Sequence, residues 1–395
     1  MIRKGALLFV AVVLLFTSGA KPTLAVEESM IDDAKSAILI EADTGEVLME
    51  KNADQALPPA SMTKIMTMLL IMEAIDEGEL EYEDMVSTSE KAASMGGSQV
   101  FLEVGEEMSV RDMLKAIAVA SGNDASVAMA EHLAGTEEDF VEMMNDKAKE
   151  LDLKNTTFHN TNGLPSSGHE TSAYDLAKIA RELLKHEEIT TFTSIYEDYL
   201  RQGTEDEFWL VNTNRLIKFY EGMDGLKTGY TSESKYGLTA TAKRDDMRLI
   251  AVVMGAETPQ VRNNTITDLM NHGFSNYQVE SLFDKGAAVT TVPVEKGTKN
   301  SVVGKLESKI SLLLKKNQES EEVEERIQMN DVKAPVAEGD TIGEFQLIQN
   351  GEPVASSKIV AAESVDSASW WELFKRSALK IIGVNTDDGT ISDES

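Results

Sequence analysis

Pro58-Pro59-Ala60-Ser61-Met62-Thr63-Lys64-Ile65-Met66-Thr67-Met68-Leu69-Leu70-Ile71-Met72 is the stretch from which the rest of the chain can be read. Two prolines end extended backbone, and a helix is expected to begin near Ala60. From Ile65 to Met72 that helix is apolar all round, so it belongs at the centre of a domain. Ser61 and Lys64 are three residues apart on it, which puts Oγ and Nζ on one face and within reach of each other. A serine hydroxyl is a weak nucleophile until a base takes its proton. A lysine can be that base only when neutral, which needs burial or a neighbouring cation. Backbone N–H groups at the helix start can stabilise an oxyanion. The Ser-x-x-Lys pattern recurs at Ser18/Lys21, Ser232/Lys235 and Ser377/Lys380. Those three fall in an apolar N-terminal leader, a turn and a C-terminal amphipathic segment; only Ser61 opens a buried helix.

Upstream, Ser36–Ala42 and Glu46–Lys51 flank Asp43-Thr44-Gly45 and read as a β-hairpin. Downstream, Val110–Ala120 is a helical run broken by Ser121-Gly122-Asn123, and Asp124–Leu133 resumes the helix. Asn155–Gly168 is a polar loop and Ala173–Leu184 an amphipathic helix. Phe208–Thr213, Gly237–Lys243 and Arg248–Gly255 are strand-like, the last apolar enough to be covered on both faces. Pro259–Gly273 is helical. Strands near both ends with helices between them make residues 30–277 one α/β domain with a helical insertion. Beyond it, Val289–Val294, Ser301–Leu306, Ile310–Leu314, Ile342–Ile348 and Ile359–Ala362 are short β segments with Gly-containing turns beside them. They form a small all-β domain over residues 281–363. The glutamate-rich run Glu319–Glu325 reads as a solvated loop.

Composition narrows the function. The 395 residues carry 37 basic against 68 acidic side chains, a net charge of −31, which repels polyanions and argues against nucleic-acid binding. There is no cysteine, so disulfides, thiol nucleophiles and thiolate metal sites are excluded. The five histidines are too far apart in sequence for a His-x-x-x-His metal helix. No metal and no cofactor is expected. Arg3 and Lys4 before the apolar run Ala6–Phe16, with small residues after it, read as a signal peptide over residues 1–25, cleaved after Ala20 or Ala25. The run is short of the ~20 apolar residues a spanning helix needs. Export, to the outer face of the cytoplasmic membrane and the wall, is the expectation.

Two further clusters carry chemistry. Ser121-Gly122-Asn123 interrupts an apolar helical region at a cost in stability; its hydroxyl and carboxamide can relay a proton and hold a substrate amide, or simply cap two helices. Lys227-Thr228-Gly229 precedes strand-like sequence and fits a strand edge on which a peptide could pair its backbone. There Gly229 leaves room for a close approach and Lys227 offers a cation to a carboxylate. Taken alone it could equally be a turn.

Together and in this order, the three clusters resemble the serine penicillin-recognising family, whose motif set is Ser-x-x-Lys, Ser-Asp-Asn and Lys-Thr-Gly; Gly122 stands here in place of the Asp, which is similar to the carboxypeptidase form and unlike that of class A β-lactamases. The surrounds Pro58–Lys64, Ala120–Ala125, Asp224–Gly229 and Arg248-Leu249-Ile250 are most similar to low-molecular-mass penicillin-binding proteins that act as D-alanyl-D-alanine carboxypeptidases. The resemblance implies an antiparallel sheet with helices on its faces, a helical subdomain and a small all-β C-terminal domain. It implies peptidoglycan stem peptides as substrate, β-lactams as covalent inhibitors, and a part in wall maturation and cell shape. It also implies roles. Ser61 attacks the carbonyl of the penultimate D-Ala, and Lys64 is its base. Ser121, with Asn123 and Lys227, shuttles the proton to the leaving D-Ala. The N–H groups of Ser61 and Tyr230 form the oxyanion hole, and Thr228, Lys227 and Arg248 meet the terminal carboxylate. Tyr230 stands where some members carry histidine.

Two alternatives differ in kind. A β-lactamase would share the nucleophile, but class A enzymes need an added carboxylate base, and no Glu-x-x-Leu-Asn string lies between Asn123 and Lys227. A catalytically silent wall-binding protein on the same fold would not need all the motif residues. Finally, Trp370, Trp371, Phe374, Ala378, Ile381 and Ile382 fall on one face at ~100° per residue, flanked by Lys375, Arg376 and Lys380. Residues 368–384 are therefore expected to form an in-plane membrane-anchor helix, the competing expectation being a helix docked on the β-domain.

Overall fold

Ser36–Glu41 (β1) and Val47–Lys51 (β2) pair as the expected antiparallel hairpin. Its turn is held by the Glu41 carboxylate, which accepts from the main-chain N–H of Asp43 and Thr44. The structure, a computed structural model, describes residues 30–316 and 322–381; the leader and Ile382 lie outside that range. Helix α1 spans Lys64–Asp76, α2 Asn123–Ala134 and α3 Ala173–Leu183. Then come strands β3 (Met223–Thr231), β4 (Lys235–Arg244) and β5 (Met247–Ala256), and helix α4 (Pro259–Asn276). The sheet order is β2-β1-β5-β4-β3, antiparallel throughout. The central strand β5 is thus paired by strands from both ends of the domain, and β3 is a free edge.

Alternation along β1, β4 and β5 divides the core in two. Ile38, Ile40, Ile250, Val252 and Met254 face a large core with α1, α2 and α3. Ala37, Leu39, Leu238, Ala240, Leu249, Ala251 and Val253 face a second core with Ile266, Leu269 and Met270 of α4. Every residue of β5 except Arg248 is buried, as expected for a strand covered on both faces. Helix α1 is buried along nearly its whole length, including Lys64.

The C-terminal unit holds a five-stranded antiparallel sheet, in the order Ala288–Pro293, Ser301–Leu306, Glu352–Ala361, Thr341–Gln349, Glu324–Met329, and a two-stranded one that pairs Tyr277–Phe283 with Ile310–Lys315. Residues 319–321 of the acidic run lie outside the described residues and Glu322 is in a loop, as expected, but Glu324 and Glu325 open the edge strand of the five-stranded sheet. Charged residues suit an edge, where they discourage pairing with another chain. The last helix runs Trp370–Ile381. Trp370, Trp371 and Phe374 are exposed and in mutual contact, Phe374 stacked on Trp370 and edge-on to Trp371. Arg376 instead turns to the β-unit, donating to Gly297 O (2.8 Å) and Thr298 O (2.7 Å). Among the described residues no helix is long and apolar enough to cross a membrane.

Candidate active site

The helix of the opening stretch starts differently from the expectation. Ala60–Thr63 is a tight 3-10 turn, and the α-helix proper begins at Lys64. Ala60, just before Ser61, sits at φ +48°, in the left-handed region that costs a non-glycine residue ~1–2 kcal/mol. The turn lifts Ser61 to partial exposure while Lys64 stays fully buried behind it.

Lys64 Nζ donates to Asn123 Oδ1 (2.6 Å) and to Asn162 O (2.7 Å), and lies 3.3 Å from Ser61 Oγ. A neutral amine has two hydrogens and one lone pair. The two acceptors take the hydrogens, which leaves the lone pair for the Ser61 hydroxyl. Burial holds the Lys64 pKa well below its ordinary value, the Lys227 cation lowers it further, and the Asp124 carboxylate opposes both. Lys64 is therefore set up as a base.

The region Val110–Ala120 ends in a π-helical turn, Ala116–Ala120, and Ser121 closes it in the left-handed conformation at φ +64°. Gly122 then caps α2, whose first residue is Asn123. The break thus caps both helices and also delivers Asn123 to Lys64. Asn123 Nδ2 donates to Gly96 O (2.6 Å), so its amide is oriented with Oδ1 toward the lysine. The Ser121 hydroxyl is buried with no hydrogen-bond partner among the described residues, an unmet cost that a substrate amide would remove.

Lys227-Thr228-Gly229 lies on the edge strand β3 rather than in a turn. Lys227 is buried, and among the described residues its Nζ donates only to Thr228 O (3.2 Å). Burial first, and the Arg262 guanidinium second, lower its pKa to about 7. The Thr228 hydroxyl meets that of Thr213 (2.6 Å). Gly229 needs a different reason from the expected one: the Cβ of any other residue would stand 2.6 Å from Pro59 O. The space is filled by the backbone before the nucleophile, not left for a ligand. Tyr230 is exposed and stacks on Tyr236 at 4.3 Å.

Arg248 does not join these residues. Lys227 stands opposite Thr239 on β4, whereas Arg248 stands opposite Lys243, roughly 13 Å further along that strand. Its guanidinium forks onto Asp224 (2.9 and 2.8 Å) and also donates to Thr241 Oγ1 (2.9 Å). The arginine beside Lys227 is Arg262 of α4, buried, with its donors on the neighbouring Asn263 Oδ1. Among the described residues neither Lys227 nor Arg262 has a carboxylate partner. No motif marks Arg262, and nothing in the loop composition singles out the Asn162 carbonyl.

A family model described as D-alanyl-D-alanine carboxypeptidase matches residues 23–258, more than half of the chain. The chain belongs to the D-alanyl-D-alanine carboxypeptidase family. A second model, the C-terminal domain of penicillin-binding protein 5, matches residues 277–367. The chain is 55% identical over 345 residues to the D-alanyl-D-alanine carboxypeptidase DacF of Bacillus subtilis, covering 87% of this chain and 89% of that protein. It is 32% identical to DacC of Escherichia coli, covering 86% of each. Among solved structures, penicillin-binding protein 5 of Haemophilus influenzae superposes with a TM-score of 0.67 at 31% identity, over 85% of this chain and 98% of that one. Penicillin-binding protein D2 of Listeria monocytogenes, in an ampicillin-bound form, superposes with a TM-score of 0.55 at 32% identity, over 61% of this chain and 98% of that one.

Proposed function

We infer that this protein is a serine-type D-alanyl-D-alanine carboxypeptidase that removes the terminal D-Ala from peptidoglycan stem peptides and is acylated by β-lactams. The observation that carries the mechanism is the Lys64 amine, with both hydrogens on fixed acceptors and its remaining direction toward Ser61 Oγ. Ser61 attacks the carbonyl carbon of the penultimate D-Ala while Lys64 takes its proton. The N–H groups of Ser61 and Tyr230 hold the oxyanion. As the C–N bond breaks, the leaving D-Ala nitrogen takes a proton from the Ser121 hydroxyl, which is replenished through Lys64 and Lys227. Water then hydrolyses the ester and frees Ser61. The terminal carboxylate lies with Thr228, Lys227 and Arg262, and its charge favours the protonated form of Lys227. β-Lactams present a cyclic amide to the same nucleophile. The test is mass analysis of a pentapeptide-terminated muropeptide: the protein shortens it by one D-Ala, and Ser61→Ala leaves it intact and takes no penicillin adduct. An adduct on Ser61→Ala would move the nucleophile elsewhere.

We propose further that the enzyme is exported by its N-terminal leader and held on the outer face of the cytoplasmic membrane by its last helix, where wall trimming bears on cell shape. The exposed Trp370, Trp371 and Phe374 support an in-plane anchor at the headgroup boundary. Arg376 ties that helix to the β-unit, so docking and membrane contact are compatible on opposite sides. Protein ending at Ala368, which keeps Val365 in the core of the β-unit, should stay active and soluble while the full chain co-sediments with anionic liposomes. Full-length protein left in the supernatant at low salt would refute the anchor.

A further inference from the structure

One buried histidine takes no part in the steps above. The main-chain N–H of His159 donates to His169 Nδ1 (3.0 Å), so that nitrogen carries the lone pair and Nε2 carries the hydrogen. His169 Nε2 then donates to Thr63 Oγ1 (2.7 Å). The Thr63 hydroxyl, having accepted, donates to Ala60 O (2.8 Å). A backbone donor at one end thus fixes the direction of every hydrogen in the chain.

The acceptor at the other end matters. The Ala60 carbonyl belongs to the same peptide unit as the Ser61 N–H, and a peptide is planar, so fixing one end fixes the other. A hydrogen bond to the carbonyl also polarises the unit and strengthens its N–H as a donor. Ala60 is held at φ +48°, a conformation that persists only where its surroundings over-determine it. Gly163 closes over the same carbonyl, with no room for a Cβ.

We propose that His169 is a positioning residue for the oxyanion hole, acting through Thr63 to orient and polarise the Ala60–Ser61 peptide. It rests on Ser61 as the acylated residue. A protonated imidazole would carry a hydrogen on Nδ1 facing the His159 N–H, so only the neutral ring completes the relay. Burial, and then His159, lower the His169 pKa to about 4, which keeps the ring neutral.

The test is stopped-flow acylation by a fluorescent penicillin, separating initial binding from the acylation rate constant, on variants whose melting temperature shows them folded. His169→Leu and Thr63→Val should each lower the rate constant about 10–100-fold, part of the 10²–10³ that a lost oxyanion donor costs. Binding should stay within about threefold. His169→Gln, which keeps a donor toward Thr63, should recover most of the rate. The double variant should be no slower than the worse single, because both break one relay. Wild-type acylation by a folded His169→Leu, losses that multiply, or a loss confined to binding would each overturn the relay. If His169→Leu does not fold, Thr63→Val and His169→Gln decide it by the same criteria. A wild type without an adduct on Ser61 refutes the site assignment itself; an adduct with unaffected variants refutes the relay alone.

Discussion

Replacing Gly163 by alanine should damage stability and catalysis together. Gly163 has φ +84°, and an added Cβ would stand 1.8 Å from Ala60 O, 2.3 Å from its carbonyl carbon and 2.8 Å from Thr63 Oγ1. The left-handed backbone costs alanine ~1–2 kcal/mol. Overpacking against a main-chain group that cannot rotate away adds ~1–3 kcal/mol, for about 2–5 kcal/mol in all. In a domain of this size that lowers the melting temperature by roughly 4–20 °C. Whatever moves to relieve the clash moves the Ala60–Ser61 peptide, and a displacement of ~1 Å at a reacting group costs on the order of 10²-fold. Gly105→Ala is the control: its φ is +78°, but nothing lies within 4 Å of the new Cβ, so it carries only the backbone strain. Thermal melts and penicillin acylation rates on both variants make the comparison. A Gly163→Ala protein that melts with the control and acylates at the wild-type rate would refute the interlock between the loop and the nucleophile turn.

Arg248→Ala should lower stability by about 1–3 kcal/mol, since it strands the half-buried Asp224 carboxylate, yet change acylation by less than about threefold; a loss of D-Ala binding without a loss of stability would return Arg248 to the carboxylate pocket. The depressed His169 pKa gives stability that is full above the ordinary histidine value of ~6.5 and is lost as the pH falls toward about 4, by up to ~3 kcal/mol. His169→Gln should flatten that part of a urea-denaturation profile against pH, and an unchanged slope would contradict it.

Much of the molecule was legible because its signals are local. The Asp43-Thr44-Gly45 turn, the apolar Ile65–Met72 helix and the doubly covered β5 each follow from a few adjacent residues. Ser61, Lys64, Ser121, Asn123 and Lys227 were found because their spacing repeats a motif set. What failed depended on tertiary placement. Arg248 and Arg262 look alike in sequence, and only the sheet register and the position of α4 put one beside Lys227 and the other with Asp224. Gly229 pointed to a close approach, but not to which atoms approach. The Asn162 carbonyl and the His169–Thr63 relay join residues far apart in the chain, on a loop whose composition shows only that it is polar.

The central claim is that Ser61 is activated by a neutral Lys64, and the pH dependence of the acylation rate constant tests it most directly. Protonating Lys64 removes the lone pair that accepts the Ser61 proton, so the rate should fall tenfold per pH unit on the acid side. The midpoint should lie well below the ordinary lysine value of ~10.4. Lys64→Arg, which cannot be deprotonated, should lack measurable acylation at any pH. An acid limb with its midpoint near the ordinary lysine value, or substantial acylation by Lys64→Arg, would contradict the account.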